Sequence, residues 1–319
     1  IFDGSTRLGE ALAVVVRFLD NAWNIQQRLV RLQTLAKSLK AEEIAQCLIK
    51  ALAVDFSIPS TNLLAAMKDG AAVNQAALRQ VKFYFPQLFD VTCFSHTIDN
   101  VGKHFEFRVL DKFSQYWVSM FSHSPNVGLA WKTRTGTAMQ SYSPTRWWSK
   151  WEMLKQVVDY YGDVKPFLRE NDHLCPATRK HLIEIFDDPD DTADLQLELA
   201  ALVDGGAHFV SATYYLEGDG PLIFSCYERL STVAHSVTID AFPNLEAVAR
   251  RQADGKVAVY NQLIAKRKAC IHPGLLFYQK KFSQEFHHLV RAFKSARLCC
   301  PVQVQKRHPT ADSLQELRN

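Results

Sequence analysis

The chain has 319 residues, of which 47% are hydrophobic and 22% charged. That balance can bury a sizeable core and excludes a disordered or collagen-like chain. A formal net charge of +4 excludes a uniformly basic protein, so any nucleic-acid footprint has to be local. Seven cysteines, odd in number and set among apolar residues, read as small core fillers of a reducing compartment rather than a disulfide frame. No apolar run reaches the ~18 residues of a helical membrane span. The chain opens within an apolar stretch, without an initiator methionine or a signal-like prelude, and the expectation is a fragment or a degraded copy.

In chain order, Ile1-Phe2-Asp3 reads as the end of a first strand, "ALAVVVRFLD" (11–20) is β-rich, and "IQQRLVRLQTLA" (25–36) alternates in the manner of a half-buried strand. "AEEIAQCLIKALAV" (41–54) switches to helical spacing. "TNLLAAMKDG" is a short strand closing in polar residues, "AAVNQAALRQVKFYF" returns to helical period, and "QLFDVTCFSH" is a further strand. The order β-β-β-α-β-α-β is that of a ribonuclease H-like mixed sheet. Past residue 97 the strands stop. Helices are expected over 97–122, 145–169, 176–186, 192–217, 221–236, 243–265 and 273–298, separated by breaks at "SPNVG", "DDPDD" and "CIHPG". The expected fold is therefore α/β plus all-α, with residues 1–96 an incomplete ribonuclease H-like core and 97–319 an α-helical insertion region.

Three groups carry candidate chemistry. Asp3 and Asp69 each close a predicted strand, and if those strands are neighbours the carboxylates meet at one sheet end, where two oxygen ligands can hold a hard divalent cation. From spacing alone, each reads more simply as an Asp that caps a turn or a helix, as "DGS" and "KDGAA" allow. Cys93 and His96 have the spacing of half a zinc site, yet no further Cys or His pair stands near enough to complete a tetrahedron. An apolar strand setting argues against a thiol nucleophile, which leaves Cys93 structural and His96 at a helix start, a capping or phosphate-touching position. Thr145-Arg146-Trp147-Trp148-Ser149-Lys150-Trp151 places three tryptophans beside two cations. They are suited to stacking on bases, although Trp147, Trp151 and Leu154 share one helical face and are also readable as core.

Taken together, "FDGSTR", "KDGAAVN", "CFSHTIDNV" and "SPTRWWSKWEML" resemble, in order, motifs of the hAT superfamily of eukaryotic DNA transposases and their domesticated relatives. The resemblance spans about residues 1–160 and extends weakly through "ATYYLEGDGPL". It implies that Asp3 and Asp69 are the first two catalytic, metal-binding acids, with Mg²⁺ or Mn²⁺ as cofactor. It further implies that His96, with Cys93 as the structural member of the motif, and Arg146 with Trp147 lie against DNA. The implied partner is DNA, the implied compartment the nucleus, with a homo-oligomer assembled through segments missing from this chain and no membrane partner. Two departures bear on activity. Ser5 stands where many relatives carry an aromatic residue. The third acid, expected in a Glu-Arg-x-Phe-Ser motif, has no match: Glu228-Arg229-Leu230-Ser231 lacks the Phe, and Glu198 reads as a surface residue of an insertion helix. Two functional expectations stand side by side. One is a transposase-derived nucleic-acid-binding protein whose complete parent cleaves and transfers DNA strands. The other is a catalytically inactive relative that binds DNA or protein.

Overall fold

A computed structural model describes residues 1–5, 10–35, 38–143, 146–218, 222–239 and 242–307. The chain divides into two compact units, 1–97 with 286–292, and 98–285 with 293–319.

The first unit pairs strands with helices. Strands β1 (Phe2–Ser5), β2 (Glu10–Leu19) and β3 (Ile25–Leu35) form an antiparallel sheet in that order. Between β2 and β3, Asp20 Oδ1 accepts the Ala22 and Asn24 amides at 2.9 Å and closes the turn. A bulge at Val14/Val15 leaves Val30 as the extra residue of β3. Helix α1 (Ala41–Ile49) runs on as a π-helical turn over Lys50–Asp55. Then come β4 (Ala65–Lys68), α2 (Ala72–Tyr84) and β5 (Phe89–Thr92), with β4 and β5 parallel and Lys68 opposite Thr92. The core joins Phe2, Leu12 and Val14 of the sheet to Ile44 and Leu48 of α1 and Leu78 and Val81 of α2. β1 lies within 8 Å of β4, measured between Cα atoms, with no ladder between them. Ile1 and Phe2 line a small cavity shared with Leu63, Ala65 and Ala66, so the two strands start at the same end.

Helix α3 (Phe94–Asp99) follows β5, and the rest is helical: α4 (Arg108–His123), α5 (Pro125–Thr135), α6 (Trp147–Asp159), α7 (Tyr161–Glu170), α8 (Pro176–Asp187), α9 (Pro189–Leu216), α10 (Ile223–Ile239), α11 (Pro243–Ala253), α12 (Val257–Lys280), α13 (His287–Ala296) and α14 (Pro301–Arg307). A mostly helical protein with a small strand region is thus what the α/β plus all-α expectation amounts to.

"SPNVG" does end a helix, since α4 stops at His123 and Ser124 is extended, and α5 then starts within it because Pro125 is admitted at a first turn whose amide would be unsatisfied in any case. Two expectations need correction. "CIHPG" is no break, since α12 runs through Pro273. Pro273 deprives the Ala269 carbonyl of its helical donor, and tertiary contacts hold the adjoining turn: the Cys270 carbonyl accepts the Glu106 amide at 2.9 Å, and Gly274 admits Phe105 so closely that an added Cβ would stand 2.5 Å from its ring. The break within 243–265 falls instead at Asp254 and Gly255, both left-handed, between α11 and α12. "DDPDD" does separate α8 from α9, and Asp188 caps α9 by accepting the Asp190 and Asp191 amides.

Glu198 is a correction of a different kind. It is 0% exposed, and its Oε2 accepts the Val109 and Leu110 amides at 2.9 and 2.8 Å, the first-turn donors of α4. Its Oε1 takes Arg267 Nη1 at 2.9 Å, and that guanidinium also bonds Asp194. A carboxylate of α9 therefore caps α4, and α12 neutralises it. Burial pushes the Glu198 carboxyl above its usual range against the opposing pull of the Leu110 amide and Arg267.

Candidate nucleic-acid interface

In the first unit, the parallel pair brings two of the quoted motifs to one sheet end. Lys68 and Thr92 are in register, and the Cys93 amide donates to the Lys68 carbonyl at 2.8 Å, so Asp69 and Cys93 leave adjacent strands side by side. Lys68 itself is buried, its Nζ 2.6 Å from Asp90 Oδ1 and 3.3 Å from Thr92 Oγ1, and it ties β4 to β5 just before that end. The Asp69 Oδ1 atom accepts the Ala71 amide at 2.9 Å and Asn74 Nδ2 at 2.8 Å. This turn-closing arrangement gives the Asp69 carboxylate structural work at the entrance to α2.

Asp3 lies in β1 opposite Ala13, in the strand beside β4. Its side chain lies outside the described residues. Among the described residues no group of three or more His, Cys, Asp or Glu side chains is placed to hold a metal ion. Of the two expected ligands, Asp69 is the one whose side chain is described, and its Oδ1 is committed to the turn that opens α2.

Cys93 is half-buried and His96 lies in the first turn of α3. Burial raises the thiol's pKa. The opposing hydrogen bonds from the His96 ring and from the His96 and Ser95 amides outweigh it, and the thiol falls below its ordinary value. Cys93 immediately precedes α3, whose third residue is His96, so the pair stands together at the start of that helix.

The second unit holds the tryptophan motif. Arg146 is the N-cap residue of α6 and Trp147 its first helical residue, while Pro144 and Thr145 lie outside the described residues. The start of α6 is fixed by three bonds. Asp99 Oδ1 accepts the Trp148 amide at 3.1 Å, and Ser149 Oγ donates to the Arg146 carbonyl at 2.6 Å and accepts the Ser143 amide at 2.9 Å. Trp147 is placed in the core, 7% exposed, edge-on to Phe105 with ring centroids 5.3 Å apart. A Cβ on Gly102 would stand 1.8 Å from its indole, and one on Gly206 3.1 Å, so both glycines are there to admit the ring. Trp151 donates its Nε1–H to the Leu202 carbonyl at 3.1 Å, with Gly206 beneath it. The helical face shared by Trp147, Trp151 and Leu154 is a core face, and a ring packed in that way has no free surface for a base.

The outward members are different residues. Arg146 Nη1 pairs with Glu217 Oε1 at 3.0 Å, which joins the Arg-Trp motif to the "LEG" segment at the end of α9. Trp148 is half-buried beside the exposed Tyr214, ring centroids 5.3 Å apart, and the Tyr214 hydroxyl donates to Glu152. Trp148 is the tryptophan of the motif that lies off the shared core face, as expected of a residue turned about 100° from its neighbour on a helix. Glu217 and Tyr214 belong to the "ATYYLEGDGPL" stretch, and their pairing with this motif is not readable from sequence. Glu228, set aside as a decoy for the third acid, pairs with Arg297 at 2.9 Å.

No protein-family model matches the chain, and no curated protein matches it at a significant level.

Proposed function

We propose that this chain is a nucleic-acid-binding relative of the hAT transposases, with a ribonuclease H-like first unit and a helical insertion, and that it binds DNA without cleaving it. The observation that carries the reading is the pairwise meeting of motifs distant in sequence. Asp69 and Cys93-His96 leave adjacent strands at one sheet end, and Arg146 meets Glu217. The strands form two separate sheets, β1-β2-β3 and β4-β5, and the approach of β1 to β4 within 8 Å is what supports a ribonuclease H-like reading of this unit.

Arg146 is the residue offered to a phosphate, and His96 a second. Trp147 serves from beneath, by fixing the start of α6 that presents Arg146. Because Arg146 already holds Glu217, DNA has to displace one carboxylate to reach the guanidinium. That competition makes the test two-sided. In gel shifts at two salt concentrations, Arg146→Ala should weaken DNA binding by about tenfold, the worth of one charge-assisted hydrogen bond. It should also flatten the salt slope by about 0.9, as expected for one lost phosphate contact. Glu217→Gln should tighten binding. Both variants should melt near the parent temperature, since a partly exposed pair contributes about 0–1 kcal/mol. Unchanged affinity for both variants would remove this motif from the DNA face. The absence of cleavage is tested by incubating the chain with supercoiled DNA and Mg²⁺ or Mn²⁺, where nicking abolished by Asp69→Ala would restore the enzyme reading.

A further inference from the structure

A groove of about 1090 Å³ opens in the first unit among the end of β2, the start of β3, the 56–64 connection and β4. It gathers at the beginning of β4, around Leu64 and Ala65, whereas Asp69 follows the last residue of that strand. Seven large apolar side chains that line it are exposed, Phe18, Leu19, Ile25, Phe56, Leu64 and Met67 together with Ile1, and Leu64 is exposed to 75%. Scattered exposed leucines are ordinary, but seven converging on one concavity form a patch of the kind that marks a docking site.

Charge selects the occupant. The charged side chains in the lining are Arg17 and Arg28, and no carboxylate lines the groove. Both arginines are exposed. Arg17 has no ion pair among the described residues, and Arg28 Nη1 donates only to the neighbouring Gln27 carbonyl at 2.9 Å. A second copy of this chain docked by the same patch would set these arginines against themselves, because a two-fold interface is self-facing. A nucleic acid would press phosphates onto an apolar floor with two cations to neutralise them, where backbone-tracking grooves are densely basic. A helix with an apolar stripe fills such a floor through side chains at i, i+3 and i+7, and carboxylates along its edges meet the arginines.

We propose that this groove docks an amphipathic helix of a partner protein whose apolar stripe is bordered by Asp or Glu. The groove and the DNA-facing motifs are separate sites, so the proposal stands or falls independently of DNA binding.

The test uses the purified 1–319 chain and two fluorescent 18-residue helical peptides with the same leucine stripe, one bordered by Glu and one by Lys, read by fluorescence polarisation. The acidic peptide should bind at least tenfold more tightly than the basic one. Leu64→Asp should lower that affinity at least tenfold. It changes a side chain already in water, and an unchanged circular dichroism spectrum checks that the fold is kept. The double variant Arg17→Glu with Arg28→Glu should reverse the preference toward the basic peptide. Equal binding of both peptides, or no reversal, overturns the proposal. So does a concentration-dependent dimer in sedimentation that Leu64→Asp abolishes, which would assign the groove to a second copy. Displacement of the acidic peptide by single-stranded DNA overturns it as well, in favour of a nucleic-acid groove.

Discussion

Replacing Glu198 by Ala removes one carboxylate and leaves three donors behind: the Val109 and Leu110 amides at the start of α4, and the Arg267 guanidinium, whose side chain is 2% exposed. Each stranded amide costs about 1–3 kcal/mol, and breaking a buried pair by deleting one partner costs about 3–5 kcal/mol. These overlap rather than add, and Arg267 keeps Asp194, so the expected loss is about 3–5 kcal/mol. For a domain of this size that corresponds to a fall in melting temperature of roughly 6–20 °C. Tryptophan fluorescence is the suitable probe, because five of the six tryptophans lie in the second unit and Trp23 alone in the first. Glu198→Gln should lose less, as its carbonyl still accepts from the helix end. The pH dependence has a definite sign. Burial holds the Glu198 carboxyl above its unfolded value, and Asp204, raised by its own burial against the Leu245 amide, behaves alike. Their contribution is fully present below the unfolded pKa and is lost as pH rises through the folded one. The parent should therefore lose stability on going upward from about pH 4.5, and Glu198→Gln should show a shallower fall. A Glu198→Ala variant within 1 kcal/mol of the parent would refute the assignment of Glu198 as the cap of α4.

Gly102→Ala should destabilise the second unit by about 1–3 kcal/mol through overpacking against Trp147, and Trp147→Ala by about 3–5 kcal/mol through the cavity it leaves; urea titrations followed by tryptophan emission decide, and a neutral Gly102→Ala would mean that the close approach relaxes freely. Cys93 should be alkylated by iodoacetamide near pH 7.5 well before Cys226, whose thiol burial pushes up to about 11, and His96→Gln should slow that reaction. Peptide mapping by mass spectrometry reads both, with equal rates at the two cysteines the contrary result. Lys68→Met should leave the melting temperature within a few degrees, since an apolar residue of similar shape often replaces a buried ion pair at little cost; loss of folding at 37 °C would show that the Lys68–Asp90 tie is indispensable to the β4–β5 pair.

What could be read ahead of the structure was what depends on near neighbours in the chain. The alternation of "IQQRLVRLQTLA" and the helical spacing of "AAVNQAALRQVKFYF" match β3 and α2 to within a residue at each end. Readings failed where a distant partner decides. Pro273 stops an isolated helix but not α12, whose Cys270 carbonyl is taken up by Glu106, more than 160 positions away. Glu198 has the surroundings of a surface acid, "LQLELAAL", and nothing local announces two amides from α4 and a guanidinium from α12. The candidate site follows the same division. The strand ends that carry Asp69 and Cys93 were legible from period and polarity. That Asp69 closes a turn, that the His96 ring bears on the Cys93 thiol, and that Arg146 is held by Glu217 depended on side-chain geometry that spacing does not encode.

Helix α9 is about 42 Å long at 1.5 Å per residue, and α4, α6, α8, α10, α11 and α12 all pack upon it. Its middle, from Leu195 to Gly206, is buried almost throughout, so that stretch has no wet face with which to persist alone in water, and α6, α10 and α11 each pack more on α9 than on any other element, while α4 and α8 also hold each other. Such an arrangement folds and opens as one piece. Deuterium should enter the amides between Leu195 and Thr213 only at the rate of whole-unit unfolding, so their exchange reports the stability of the entire helical unit. A chain break placed within α9 should abolish that unit outright, whereas one at Gly255, in the turn between α11 and α12, should leave two pieces able to find each other again.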